Sequence, residues 1–229
     1  MTVWFASGNT HKKKELAAIL NAAGSGYAAV HAAANAARFL SPFNLKIPAD
    51  VNLVFNPEEN GTSFSENALL KAAELYKLLN RNGCFTPGDA IIADDSGLCV
   101  DALGGRPGIY SARYSGPPGS EIKTGLSDLD RNLMLLSELS GEPKRSARFI
   151  CAMVLLISTD TFYIAQETFD GLIVDGPDKI RGARGFGYDP ILFIPEFDRT
   201  VAELSDTEKN NASHRGKAGR VIAKILLSW

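Results

Sequence analysis

Cysteine is scarce: 229 residues contain three, Cys84, Cys99 and Cys151. The number is odd and no pair has C-x-x-C spacing, which argues against a disulfide framework or a zinc site and favours a reducing compartment. Cys99 and Cys151 lie in apolar runs and read as small core residues. Neither sign of charge dominates, with 24 Lys plus Arg against 26 Asp plus Glu. A general nucleic-acid binder carries a basic surplus, so no nucleic-acid partner is expected, and phosphate binding has to come from local placement of charge. Long hydrophobic runs are missing as well. The longest, 149–157, is far short of the ~20 residues that span a bilayer. The N-terminal Met-Thr-Val-Trp-Phe-Ala turns polar too early for a secretory signal. Together these absences predict a soluble cytoplasmic protein without a membrane partner. No internal repeat or low-complexity linker interrupts the chain.

What is present is ordinary for a globular protein: 45% hydrophobic and 22% charged residues. The length suits one large domain or a two-lobed unit. Val3-Trp4-Phe5-Ala6 reads as a buried strand, and Ser7-Gly8-Asn9 turns it into a helix over 10–23 with Leu16, Ile19 and Leu20 at helical spacing. An Ala-rich stretch, 28–39, suggests a short helix. Residues 45–55 suggest one or two strands interrupted by Pro48. Ser63 and Glu66 form an S-x-x-E capping box for a helix reaching residue 79. A buried strand at 90–93 is expected to end in the turn Asp94-Asp95-Ser96-Gly97, with a further strand near 98–103. A Gly/Pro-rich loop over 104–119, a helix over 126–139, and strands at 147–158, 161–169 and 171–174 follow. A glycine-rich loop at 182–189, a strand at 191–194, a capping box at Ser205 and Glu208, and a last helix over 215–227 complete the chain. The order predicts an α/β fold with a mixed sheet flanked by helices.

Five segments carry candidate chemistry. Ser7-Gly8-Asn9-Thr10-His11-Lys12 leads through a glycine turn into a helix N-terminus, which is either an anion site or a surface helix start with solvated lysines. It lacks the Walker A spacing. Glu66 either completes its capping box or faces a cation near the helix start, whereas Lys71 reads as a solvated lysine. In Asp94-Asp95-Ser96-Gly97, neighbouring side chains on a strand point to opposite faces, so one aspartate faces a site and the other bonds the turn. The D-x-D pattern of haloacid-dehalogenase-type phosphatases is absent. Phe186-Gly187-Tyr188-Asp189 places aromatics between glycines, which suits a flat ligand or an aromatic turn packed on the core. His214 and Arg215, with Lys209 upstream, read as donors for a base edge or phosphate, or as an exposed basic helix start.

The combination in this order resembles the inosine/xanthosine triphosphate pyrophosphatase family, also called Ham1-like. The matching segments are SGNTHKKKEL, SFSENALLKA, ADDSGLCVDALGGRPGIYSARYSG, GFGYDPILF and AELSDTEKNNASHRGKA, which span nearly the whole chain. The resemblance implies a single domain over 1–229 with an elongated, two-lobed α/β fold around a mixed central sheet, and usually a homodimer. It implies hydrolysis of non-standard purine nucleoside triphosphates, such as those of inosine, deoxyinosine and xanthosine, to monophosphate and pyrophosphate. Asp95 would be the general base and, with Glu66, a magnesium ligand. Ser7, Gly8, Asn9, Thr10, His11 and Lys12 would form the phosphate-side loop, and Ser96 would contact substrate. Phe186, Gly187, Tyr188 and Asp189 would line the nucleoside pocket, with Phe186 stacked on the purine. Lys209, His214 and Arg215 would close over base and phosphates. The segment within about 24–55 is longer than the family pattern and looks like an insertion.

Triphosphate charge met by magnesium, Lys12 and a helix N-terminus is the usual electrostatic solution for phosphoryl transfer. Hypoxanthine and xanthine carry an oxygen at C6 where adenine carries an amino group, so a donor such as Arg215 or a backbone N–H would select for them. Two rival readings remain: a Maf-type pyrophosphatase acting on pyrimidine or modified nucleotides, and a non-catalytic nucleotide-binding module.

Overall fold

A computed structural model describes residues 1–30, 43–119, 121 and 124–229, with residues 26–30 described by their backbone alone. Seven strands are present among them: β1 (Thr2–Phe5), β2 (Asn44–Lys46), β3 (Ala90–Val100), β4 (Ser146–Ser158), β5 (Thr161–Ile173), β6 (Leu192–Ile194) and β7 (Arg199–Thr200). The α-helices are α1 (Thr10–Val30), α2 (Phe64–Arg81), α3 (Asp128–Glu138), α4 (Asp206–Ala212) and α5 (His214–Ser228). The strands hydrogen-bond in the order β2-β1-β3-β4-β5-β6-β7. β1 runs parallel to both β2 and β3, whereas β6 is antiparallel to both β5 and β7. The fold is α/β with a mixed sheet, as the element order predicts.

The chain divides into two compact units. The first comprises Met1–Asp95, Cys151–Glu167 and His214–Trp229. Its strands alternate between two cores, as a sheet covered on both faces requires. Val3, Phe5, Ala90 and Ile92 pack with Leu16 and Leu20 of α1 and with Ile222 and Leu226 of α5. Trp4, Ala6, Ile91 and Ala93 pack with Ala68, Ala72, Leu75 and Leu79 of α2. The spacing of those four α2 residues is what lays one apolar stripe against the sheet. The second unit comprises Ser96–Ile150 and Thr168–Ser213. Its core gathers Leu135 and Leu136 of α3, and Leu139 at the end of that helix, with Phe149, Phe169, Tyr188, Ile191 and Leu192.

Several local expectations change. α1 continues past residue 23 to Val30, through Gly24 and Gly26; a glycine inside a helix costs about 1 kcal/mol and does not by itself end one. Residues 28–30 of the Ala-rich stretch belong to α1, and 31–39, like 40–42 within the expected insertion, lie outside the described residues. Residues 45–55 hold the end of β2 and a single 3-10 turn, Pro48–Val51. β3 does not turn at Asp94-Asp95-Ser96-Gly97 but runs through it for 11 residues. The turn-like composition is overridden because both aspartates find buried cationic partners. β5 likewise runs unbroken through Gly171, where a Cβ would stand 2.5 Å from the Phe193 carbonyl oxygen of the neighbouring strand. Cys151 is buried and Cys99 only half-buried, so the core reading fits Cys151; none of the three cysteines forms a disulfide.

Candidate active site

Alternation along β3 decides where its acids go. Ala90 and Ile92 face α1 and α5, so Asp94 follows them on that face; Ile91 and Ala93 face α2, and Asp95 follows them. The two neighbouring carboxylates therefore serve different helices.

Asp94 is 1% exposed. Lys12 Nζ, from the first turn of α1, lies 3.2 and 3.0 Å from its two oxygens. Arg215, at the start of α5, donates from Nε at 3.2 Å and from Nη2 at 3.0 Å to Asp94 Oδ2. Its Nη1 donates to Glu15 Oε2 of α1 at 2.6 Å. Burial opposes the charge on Asp94, but Lys12 and Arg215, with help from Lys71, outweigh it and hold the carboxyl far below the ordinary range. Burial also opposes the Arg215 cation, and Asp94 and Glu15 outweigh it, so the guanidinium stays charged. Asp94 thus anchors an ion-paired cluster rather than bonding a turn.

Asp95 is 7% exposed. Its Oδ1 accepts from Lys71 Nζ at 2.8 Å and its Oδ2 from Asn67 Nδ2 at 3.2 Å. Lys71 also donates to Glu59 Oε1 at 2.9 Å, and Asn67 Oδ1 accepts the Gly61 N–H at 2.8 Å. Burial raises the Asp95 carboxyl above its usual range, and Glu59 pushes the same way. Lys71 and Asn67 pull back without cancelling that rise. A carboxylate lifted by burial yet held by oriented donors is the environment of a general base. Lys71 is therefore no solvated lysine: its partners keep it cationic against burial.

Glu66 is exposed, and the capping box is only half formed. Ser63 Oγ accepts the Glu66 N–H at 3.2 Å, while the Glu66 carboxylate reaches one residue further back, to the Thr62 N–H at 2.6 Å and the Thr62 hydroxyl at 2.8 Å. These two bonds hold its carboxyl below the ordinary range. At the start of α1, Asn9 Oδ1 accepts the N–H groups of His11 and Lys12 at 2.9 and 3.1 Å, so Asn9 is itself the cap of the helix end. Ser7 Oγ accepts the Asn9 N–H at 3.1 Å. Gly8, Thr10 and His11 are exposed. His214 and Arg215 are buried, which removes the exposed-helix-start reading for both.

The second unit holds the remaining candidates. Asp189, 3% exposed, closes the 185–189 loop by accepting the Phe186 N–H on Oδ2 at 3.0 Å. The same oxygen accepts from Lys209 Nζ of α4 at 2.8 Å, and that ammonium lies 4.9 Å from the centre of the Phe186 ring. Lys209 is set by the complete Ser205/Glu208 capping box. Gly185 has φ +77°, and a Cβ there would stand 1.9 Å from Asp189 Oδ2. Tyr188 is buried with its hydroxyl donating to the Ser111 carbonyl at 3.0 Å. Ser96 is half-buried just beyond Asp95 in β3.

Among the described residues no three His, Cys, Asp or Glu side chains gather as a metal site. A cation here would take one or two protein carboxylates and complete its shell with water and phosphate oxygens, the habit of magnesium. Asp95, Glu59 beside it on Lys71, and Glu66, next in the chain to Asn67, are hard oxygen donors that fit such an ion.

Sequence reasoning missed Asn67, Glu59 and Glu15, and misread Lys71 as solvated. One signal was available: Asn67 and Lys71 stand four residues apart on the α2 face that also carries Ala68, Ala72, Leu75 and Leu79. Polar groups on a buried apolar stripe need partners.

The Ham1 family profile matches residues 3–225. A dITP/XTP pyrophosphatase of Treponema denticola is 40% identical over 228 residues, covering 99% of this chain and 98% of that protein. One from Leptospira biflexa is 36% identical, covering 100% and 96%. Among solved structures, the Staphylococcus aureus Ham1 protein superposes with a TM-score of 0.74 at 32% identity, covering 100% of this chain and 99% of that one. With profile, sequence and fold in agreement along nearly its whole length, the chain belongs to the Ham1 family.

Proposed function

We propose that this protein hydrolyses non-standard purine nucleoside triphosphates, deoxyinosine and xanthosine triphosphate first among them, to the monophosphate and pyrophosphate. The observation that carries this reading is Asp95: a buried carboxylate with raised proton affinity, gripped by Lys71 and Asn67, in a chain of the Ham1 family. Asp95 takes a proton from water as the water oxygen bonds to phosphorus. The bridging P–O bond between the α- and β-phosphates breaks, and pyrophosphate leaves. Lys71 and Asn67 fix the carboxylate so that one oxygen can meet the water.

Asp95, with Glu66 or Glu59 as a second carboxylate, is proposed to hold magnesium. When bound, magnesium neutralises phosphate charge and stabilises the leaving pyrophosphate. Lys12 and the Ser7–Thr10 turn meet the phosphates, and Ser96 contacts substrate. The Phe186 ring receives the base, with Lys209 and Asp189 holding the loop that presents it. Base choice at C6 is assigned to a backbone N–H. Arg215 already gives Nε, Nη1 and Nη2 to Asp94 and Glu15, and its part is to hold Asp94 and Lys12 in place. The protein is further proposed to act as a homodimer in the cytoplasm.

The test is pyrophosphate release from the triphosphates of deoxyinosine, xanthosine, guanosine, adenosine and cytidine, each with and without magnesium. Magnesium-dependent release confined largely to the first two is expected. Preference for cytidine triphosphate would move the reading to a pyrimidine enzyme, and no release to a binding module.

A further inference from the structure

The start of α3 meets the 185–189 loop at Gly187. The Gly187 N–H donates to Asp128 Oδ2 at 2.7 Å, and Asn132 Nδ2 donates to the Gly187 carbonyl at 3.2 Å. Asp128 and Asn132 are four residues apart, hence on one face of the helix. Gly187 has φ +63°, a conformation that favours glycine, and its N–H and its carbonyl are both held by this helix.

The Asn132 amide is oriented by chemistry. A carbonyl only accepts, so the amide nitrogen faces Gly187 and the oxygen points away. Among the described residues that oxygen has no hydrogen-bond partner, in a residue 2% exposed. Leu135, Leu136 and Leu139 fill the rest of this helix face. A half-satisfied amide among leucines weakens the core relative to an apolar residue, so its value lies in the one contact it makes. Asp128 is different in kind. It is partly exposed, and although burial opposes its charge, the Gly187 N–H and Arg131 hold its carboxyl below the usual range. The bond to Gly187 is therefore charge-assisted.

On either side of Gly187 stand Phe186, whose ring lies under Lys209, and Tyr188, tethered to Ser111. We propose that Asp128 and Asn132 are positioning residues that grip Gly187 from both sides and so hold the Phe186 ring at the angle at which a purine base stacks on it. The proposal rests on the assignment of Phe186 as the base-stacking residue.

Steady-state kinetics with deoxyinosine triphosphate test it, using Asp128→Ala, Asn132→Asp, Asp128→Asn and the double variant Asp128→Ala/Asn132→Asp. Loss of a contact made equally in ground and transition states raises KM and spares kcat. KM is expected to rise ~10-fold in Asp128→Ala and in Asn132→Asp, the latter keeping the side-chain shape but turning an acceptor toward an acceptor, with kcat within ~2-fold. Asp128→Asn, whose amide oxygen still accepts the Gly187 N–H, is expected within ~3-fold of wild type, and the double variant near the worse single, since both groups hold one residue. Inhibition by inorganic tripolyphosphate, which carries no base, is expected to be unchanged. Unaltered KM in Asp128→Ala and Asn132→Asp, or an equal loss of tripolyphosphate binding, overturns the proposal. If wild type hydrolyses none of the triphosphates, it is the catalytic reading that has failed. Amide exchange at Gly187 then reads the grip: faster exchange in Asp128→Ala supports it, and unchanged exchange overturns it.

Discussion

Asp94 and Arg215 stand 121 residues apart in the chain and meet through two hydrogen bonds to one carboxylate oxygen, at 3.0 and 3.2 Å. With Glu15 on the third guanidinium nitrogen, Arg215 has no reason to read the base edge. Arg215→Ala is therefore expected to lower kcat/KM for inosine and adenosine triphosphate by similar factors, ~10-fold or more each. Parallel assays on the two substrates check this. A loss confined to inosine triphosphate would return Arg215 to the C6 contact.

Asp94 itself makes a stability prediction. Its folded pKa lies below the unfolded value of ~3.9, so the carboxylate adds stability above about pH 4, and that contribution fades as pH falls toward the folded value. Asp94→Asn leaves Lys12 and Arg215 without their anion and is expected to cost about 3–5 kcal/mol at pH 7. Urea unfolding of both proteins between pH 7 and pH 3 is the measurement. The gap should narrow below about pH 4, and a constant gap would contradict the assignment.

Lys71→Met keeps the volume of the side chain and removes the ammonium between Asp95 and Glu59. Turnover of deoxyinosine triphosphate is expected to fall on the order of 10²-fold, the usual scale for a mispositioned acid–base group. Lys71→Arg should recover part of the loss. Near-normal turnover in Lys71→Met would show that the cation only fills space.

Gly185→Ala pushes a methyl group into Asp189 Oδ2, at 1.9 Å from ideal placement and with φ +77°. A loss of about 1–3 kcal/mol is expected, visible as a lower Tm, with a raised KM because the Phe186 loop shifts. Gly8→Ala is the control, since a Cβ there meets nothing within 4 Å; its Tm should stay close to that of wild type. Equal Tm for all three proteins would contradict the role given to Gly185.

Strand and helix periodicity made most of the architecture legible. The apolar alternation of Val3 to Ala6 and of Ala90 to Ala93, and the 3.6-residue spacing on α1, α2 and α3, reflect burial that local pattern records. Asp94-Asp95-Ser96-Gly97 misled because its composition is that of a turn, and only the lysines and arginine of distant segments let it remain a strand. Parity along β3 placed the two aspartates on opposite faces, yet gave no hint that Lys12 and Arg215 belong with Asp94 and Lys71 with Asp95. Those pairings join segments from both ends of the sequence, and charge carries no period. Asn132 was invisible for the same reason: its partner is a backbone carbonyl 55 residues away.

The central claim is that Asp95 takes the proton from the attacking water. Its most direct test is magnesium-supported pyrophosphate release from deoxyinosine triphosphate by Asp95→Asn, alongside urea unfolding of the same sample. Turnover is expected to fall by ~10³-fold or more while cooperative unfolding is kept, because the amide retains the shape but cannot accept the proton. Turnover within ~10-fold of wild type in a folded Asp95→Asn protein would remove Asp95 from the base role and contradict the account.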